Sequence, residues 1–267
     1  MVQEVLNVST LKDIAIRVHD RDLMIDFYRN VLKMKLLGEE NAVALFGGSK
    51  SKEPLLTLEE TPSYRGRAVV GPKKLHVFQI HYKQKHEWDA IKGEMIQREI
   101  EVEKAWKSAS AEGFIAVDPE GNRFSAYYGE KGGEQEKVAL DALFSENSKV
   151  DAVEDFSIDY LKLNVPDVEL AKTFYEKAFK VEFNEKNEVK VNDAFTFALA
   201  HREGPDLIGN VDELWDLEFI EIHVRESLQM ETVISHFDAE GFDYFVDKKR
   251  RILTIKDSSG IEWWFMR

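Results

Sequence analysis

The segment IAIRVHDRDLMIDFYRNVLKMKLL, Ile14 to Leu37, returns later in the chain as LKLNVPDVELAKTFYEKAFKVEF, Leu161 to Phe183. Val18, Asp20, Leu23, Phe27 and Tyr28 recur as Val165, Asp167, Leu170, Phe174 and Tyr175, each 147 positions on and without a gap. In the first copy Ile14, Ile16 and Val18 alternate along one strand face, and Leu23, Phe27, Val31 and Met34 make an apolar stripe at helical spacing. A strand-then-helix unit that returns in register marks a duplicated module.

Working outward, the pattern predicts a strand over 12–18 and a helix from Arg21 to Met34. Strands follow at Asn41–Phe46, Pro54–Leu58 and Leu75–Tyr82, then a helix over Lys85–Ile100 and strands at Gly113–Val117 and Asn122–Tyr128. The second copy runs in the same order. A strand at Asp159–Val165 precedes a helix at Val168–Phe179, strands at Glu188–Val191, Ala194–Ala200 and Leu217–Val224, and a helix at Ser227–Glu240. Strands at Tyr244–Asp247, Arg251–Lys256 and Ile261–Met266 complete it. Between the copies, residues 131–155 are acidic and begin near Gly132-Gly133, with a short helical patch at Val138–Phe144; they read as a linker. The expected domains are 1–130, the linker 131–155, and 156–267.

The chain has 267 residues, enough for two modules of ordinary size, and 43% of them are hydrophobic. A formal net charge of −14 argues against nucleic acid as a partner, because phosphate binding needs an excess of Lys and Arg. There is no cysteine, which removes disulfides, thiolate ligands and a cysteine nucleophile together. No apolar run reaches membrane-spanning length, and MVQEVLNVST lacks the basic-then-apolar order of a signal peptide. The expectation is a cytoplasmic protein without a membrane partner.

The helix RDLMIDFYRNVLKMKLL and the hairpin DPEGNRF, in that order, resemble the vicinal oxygen chelate superfamily, which includes glyoxalase I, extradiol dioxygenases and bleomycin-resistance proteins. The resemblance implies an α+β fold of tandem βαβββ modules, each curling a mixed sheet into a cup. A narrower resemblance, from RDLMIDFYRNVLKMKLLGEENAVALF through LEETPSYRGRAVVGPKKLH, is to the streptococcal CppA family, whose name carries a C3-degrading proteinase role.

The superfamily's chemistry uses a divalent metal held by His and Glu in the cup. Mapped by resemblance, its ligand positions fall on Asp13, His76 and Ser125 in the first module and on Tyr160, Glu218 and Trp264 in the second. Ser125 and Trp264 offer no anionic oxygen, so the metal sites read as degenerate. Asp13 and His76 remain as the ligands for a metal in the N-terminal module, while the second cup is expected to hold none. His76 reads as a remnant ligand or as a hydrogen-bonded core histidine. Asp13 reads as a ligand or as a partner of Arg17 or His76. Glu218 reads as a ligand or as the ion-pair partner of Lys162. Strand alternation from these positions adds Arg17, Tyr82, Tyr127 and Lys162 to the ligand-pocket candidates, with Ile220 on the same concave face.

Other catalytic machinery is sparse. The nearest string to HExxH is HEWDA at His86, which lacks the second histidine, and no GxSxG elbow or glycine-rich phosphate loop occurs. Dispersed Ser–His–Asp sets stay open. The readings carried forward are a binding module for a small molecule or protein partner, a metal-dependent lyase or dioxygenase, and the proteinase role that the family name implies.

Overall fold

A computed structural model describes residues 10–143, 148–208, 211–224 and 227–267. The start of the chain, read above for a signal peptide, and Phe144 lie outside the described residues. The fold is α+β with mixed sheets, as expected. Contacts divide the chain into two compact units: Met1–Arg17, Thr61–His76 and Tyr160–Arg267 form one, and Val18–Glu60 with Val77–Asp159 the other. The division cuts within the strands β1 (Thr10–Val18), β5 (Leu75–Tyr82) and β10 (Phe156–Val165).

The second of these units contains the first copy's helix. Asp20 caps α1 (Arg21–Asp26) by accepting the Leu23 N–H at 2.9 Å, and a π-helical turn, Phe27–Val31, continues it. An antiparallel meander follows: β2 (Lys35–Glu40), β3 (Val43–Gly47) and β4 (Leu56–Glu60). Beyond β5 come α2 (Lys85–Gln97), β6 (Val102–Lys107), β7 (Ala111–Val117), β8 (Arg123–Gly129) and β9 (Glu136–Val138), and the strands order as β5-β8-β7-β6-β9. Only the β5–β8 pair in this order is parallel. Phe78, Tyr82, Trp88, Phe114 and Phe124 are fully buried at its centre, with Trp88 stacked on Phe114 at 5.2 Å.

The other unit contains the second copy. Asp167 caps α3 (Val168–Phe179) through the Leu170 N–H, again at 2.9 Å. β11 (Glu188–Asn192) and β12 (Phe195–His201) order as β11-β12-β10, and β10 lies parallel to β12. After β13 (Leu217–His223) and α4 (Ser227–Glu240) come β14 (Tyr244–Val246), β15 (Ile252–Lys256) and β16 (Glu262–Met266). These order as β14-β15-β16-β13-β1. Tyr175, Phe179, Phe197, Trp263 and Phe265 fill the core.

The duplication extends to single bonds. Tyr28 donates its hydroxyl to Asp118 at 2.9 Å, and Tyr175 donates to Asp257. Each aspartate also accepts two backbone N–H groups of the turn it opens, from Glu120 and Asn122 at Asp118, and from Ser259 and Ile261 at Asp257. Gly121 and Gly260 close these turns at φ 78°, a conformation that costs glycine little. Lys33 and Lys180, at equivalent repeat positions, both take left-handed φ angles where their helices end.

Residues 131–155 are more than a spacer. They contribute β9, which pairs with β6, and a 3₁₀ turn at Asp141–Leu143 in place of the expected helical patch. Lys92, fully buried, donates to the Leu143 carbonyl and binds Glu112 at 2.7 Å. Ser49 N–H donates to the Val153 carbonyl at 2.8 Å, and Val153 is itself fully buried. Its apolar residues outweigh the acidic composition that suggested a solvated linker. β2 and β6 were not anticipated, because bulges at Leu36/Gly38 and Val102/Lys104 break the period-two pattern.

In the unit of the second copy, segment 61–76 is held by Lys74, which is fully buried. Its ammonium donates to the carbonyls of Leu207 and Ser259, both at 2.6 Å, and burial holds its pKa below the ordinary lysine value. Tyr28→Phe and Tyr175→Phe should each lower stability by about 1–3 kcal/mol, since a buried carboxylate loses a donor while the ring packing stays. Urea unfolding measures this, and losses below about 0.3 kcal/mol would show that the hydroxyls do not hold the turns.

Candidate functional site

Strand register builds one polar and aromatic face. β1 runs antiparallel to β13, with Asp13 opposite Glu221 and Ala15 opposite Phe219. β13 lies parallel to β16, which sets Glu221 beside Trp264 and Phe219 beside Glu262. β15 adds Thr254 beside Trp264 and Lys256 beside Glu262, and β14 adds Phe245 beside Thr254. One row therefore reads Phe245, Thr254, Trp264, Glu221, Asp13, and the next reads Lys256, Glu262, Phe219, Ala15. The opposite face carries Leu253, Ile255, Ile220, Ile222, Trp263 and Phe265, all buried.

The Phe219 and Trp264 rings stack at 4.4 Å with 15° between planes. The Trp264 indole N–H donates to Glu262 at 2.9 Å, and Lys256 meets the other Glu262 oxygen at 3.0 Å. Glu221 is met by Lys12 at 2.9 Å. A groove of about 690 Å³ opens over this face, lined in part by Asp243, Tyr244, Phe245, Thr254, Glu262 and Trp264. Its volume falls in the range of small-molecule sites. At the other end Arg17 binds Glu218 at 2.7 Å and donates to the Thr61 hydroxyl at 3.0 Å.

A second polar cluster stands on β5 and β8. His81 stacks on Tyr127 at 4.4 Å and 7°, and Tyr127 donates its hydroxyl to Asp159. Lys131 meets the same carboxylate at 3.0 Å and lies 5.0 Å from the Tyr127 ring centre. Burial, then Asp159, pushes the Tyr127 hydroxyl well above the ordinary tyrosine pKa. Burial is also the largest cause holding His81 below the usual imidazole value; Lys131 and Lys83 add to it and Asp159 opposes it.

Two family models match the chain, CppA N-terminal over residues 11–130 and CppA C-terminal over residues 153–265. The chain belongs to the CppA family. Similar solved structures are the CppA protein from Streptococcus pneumoniae TIGR4, at TM-score 0.71 and 21% identity over 97% of this chain and 98% of that one, and a single-residue mutant of glyoxalase I from Zea mays, at TM-score 0.61 and 14% identity over 97% and 94%. A protein assigned as a dioxygenase from Bacillus subtilis gives TM-score 0.67 and 14% identity over 96% and 84%. The last two share the glyoxalase and dioxygenase fold of the vicinal oxygen chelate superfamily. No curated protein sequence matches the chain.

Within this CppA-family fold the expected site residues are regrouped. Asp13 and Arg17 stand on β1, beside the β13 and β16 of the second copy, and so join Glu218 and Trp264. His76, Ser125 and Tyr127 stand on β5 and β8, in a different sheet from Asp13. Tyr82 is corrected from pocket to core: it is fully buried and donates to the Leu32 carbonyl at 3.2 Å. His76 shares Tyr82's strand face by alternation, so the polar face of β5 carries Gln79 and His81 instead. Ser125 and Tyr127 are on that polar face but only 5% and 3% exposed, and Ser125 accepts from Gln79 at 3.1 Å.

Tyr160 and Lys162 lie on β10, beside Thr196 and Ala198. Burial, then Glu188, pushes the Tyr160 hydroxyl up to about 12. Glu218 has the ion pair expected of it, but with Arg17 rather than Lys162. Ile220 is fully buried on the opposite face, and Phe219 and Glu221 take the polar side. A register shift between Ala15 and Ile16 explains this, because a bulge at 217–219 reverses the alternation. Asp243, Tyr244, Phe245, Thr254 and Lys256 were missed because reasoning from the ligand positions never reached their elements, and Asp159 because it alternates to the other face of β10 from Tyr160 and Lys162.

Among the described residues, no three His, Asp or Glu side chains gather closely enough to hold a metal ion. Asp13 and Glu221 make a pair of carboxylates with a lysine on one of them. That set lacks the imidazoles of the ligand group that the superfamily implies, so the residues present do not fit such a metal.

Arg17→Met should cost about 2–3 kcal/mol, because both partners of the ion pair are mostly shielded from water and Glu218 would keep its charge. Arg17→Met combined with Glu218→Leu should recover most of that loss in chemical unfolding. The His81 ring should titrate with a midpoint below 6.5 by NMR. Its folded-state pKa is depressed, so its contribution to stability is present above pH 6.5 and is lost as pH falls towards the folded-state value.

Proposed function

We propose that this protein is a small-molecule binding member of the CppA family, with its ligand in the groove lined by Trp264. The observation that carries the proposal is the Trp264 ring in the groove lining, held in place by its stack on Phe219. An ordinary wet face of a sheet carries scattered polar side chains. Here two half-buried rings lie parallel, with hydrogen-bonding groups around them. Such a ring offers a flat ligand dispersion contact and offset stacking, and Thr254, Glu262 and Lys256 offer directional contacts at its edge. Binding of this kind needs no metal and no proton transfer, which agrees with the missing ligand set.

Saturation-transfer NMR with quinoline as a flat aromatic probe tests the groove. The signal should appear with the wild-type protein, fall at least about five-fold in Trp264→Ala, and persist in His76→Ala. An equal signal in Trp264→Ala would move the binding elsewhere. Circular dichroism of the variant separates loss of the ring from loss of the fold.

The family name raises proteolysis as a second activity, and the residues argue against it: no cysteine, no zinc-protease helix and no nucleophile elbow. Highly purified protein should leave complement C3 and denatured casein intact. Cleavage that disappears on substitution of one Ser or His of this chain would overturn that expectation.

A further inference from the structure

The groove's charge distribution points to the class of its ligand. We infer that it takes a planar aromatic cation, a ring system carrying a fixed positive charge; this rests on the reading that the groove binds a small molecule. Trp264, whose ring stacks on Phe219, lines the groove together with Tyr244 and Phe245. An aromatic face is the negative side of the ring quadrupole, so it attracts a cation and disfavours an anion. Tryptophan is the strongest such face.

The formal charges agree. Asp243, Glu262 and Lys256 lie in the lining, two acids against one lysine, and Glu221 and Asp13 continue the Trp264 row. The cations named on this face are Lys12 and Lys256, each already held by a carboxylate, at Glu221 and Glu262. Lys256 is about half exposed, and its charge is taken up by Glu262, which leaves Asp243 as the lining acid without a lysine named on it. Glu262 also accepts the Trp264 indole N–H, so the same carboxylate lies at the edge of that ring. Ring face and acid are therefore adjacent by construction, which is the arrangement a delocalised cation requires. The chain's net charge of −14 adds long-range attraction for a cation and repulsion for an anion.

Three ring compounds of similar size separate this inference from the binding itself: the cation 1-methylquinolinium, neutral quinoline and the anion 1-naphthoate, titrated at pH 7.5 by ligand-observed NMR. The cation should bind about ten-fold more tightly than quinoline, with naphthoate the weakest. The double variant Asp243→Asn with Glu262→Gln keeps acceptor oxygens in place and should narrow the cation's advantage to about two-fold or less. Raising the salt concentration should weaken the cation alone. Equal affinities for quinoline and 1-methylquinolinium would overturn the inference while leaving the groove a binding site. No binding of any of the three would overturn both. A cation advantage that survives the double variant would also overturn it, since the acids would then not be its source.

Discussion

The fold turns on one hydrogen bond made twice. In each copy the tyrosine of the Phe-Tyr pair reaches from its helix to the aspartate that opens the last hairpin, 90 residues on from Tyr28 and 82 on from Tyr175. The aspartate is buried, so its carboxylate needs donors, and the tyrosine hydroxyl and two turn N–H groups supply them. Burial raises the tyrosine pKa in both copies, which keeps the hydroxyl a donor across the physiological range. The helix, the hairpin and the strand that follows are thereby tied at one point. An aspartate at the helix N-cap fixes the other end of the same segment.

With the helices anchored in this way, the strands place the chemistry. The first strand of the chain pairs with β13, a strand of the second copy, so the residues of one polar face come from opposite ends of the sequence. Asp13 and Arg17 thereby share a sheet with Glu218, Glu221 and Trp264. That pairing also sets Asp13 opposite Glu221, a pair of carboxylates on one face.

The same face presents a stacked aromatic pair with acids beside it. The stack of Phe219 on Trp264 depends on parallel register between β13 and β16 and on a bulge that turns Phe219 rather than Ile220 to the polar side. A shift of one residue would bury the acids and expose the core, so the register of this sheet is held by its apolar face. The His81–Tyr127–Asp159 cluster is likewise built by strand neighbours, with His81 on β5 stacked on Tyr127 of β8 and the Tyr127 hydroxyl donating to Asp159.

The sequence by itself determined the duplication, the α+β class, the family and most of the elements. α3 and α4 begin and end where their periodicity and flanking residues place them, and β5 is read correctly to both ends. These are local properties, encoded within about a dozen neighbouring residues. The strands that escaped, β2 and β6, carry bulges, and β9 lies in a stretch whose acidity masked its apolar anchors. Only the tertiary structure decided which strands became neighbours, which ion pair Glu218 makes, and which parity of β13 faces the groove. Pairing between β1 and β13 links residues some two hundred positions apart, and a single bulge inverts a face. Neither leaves a periodic trace in one sequence, because both are settled by the packing of whole sheets rather than by the residues alongside.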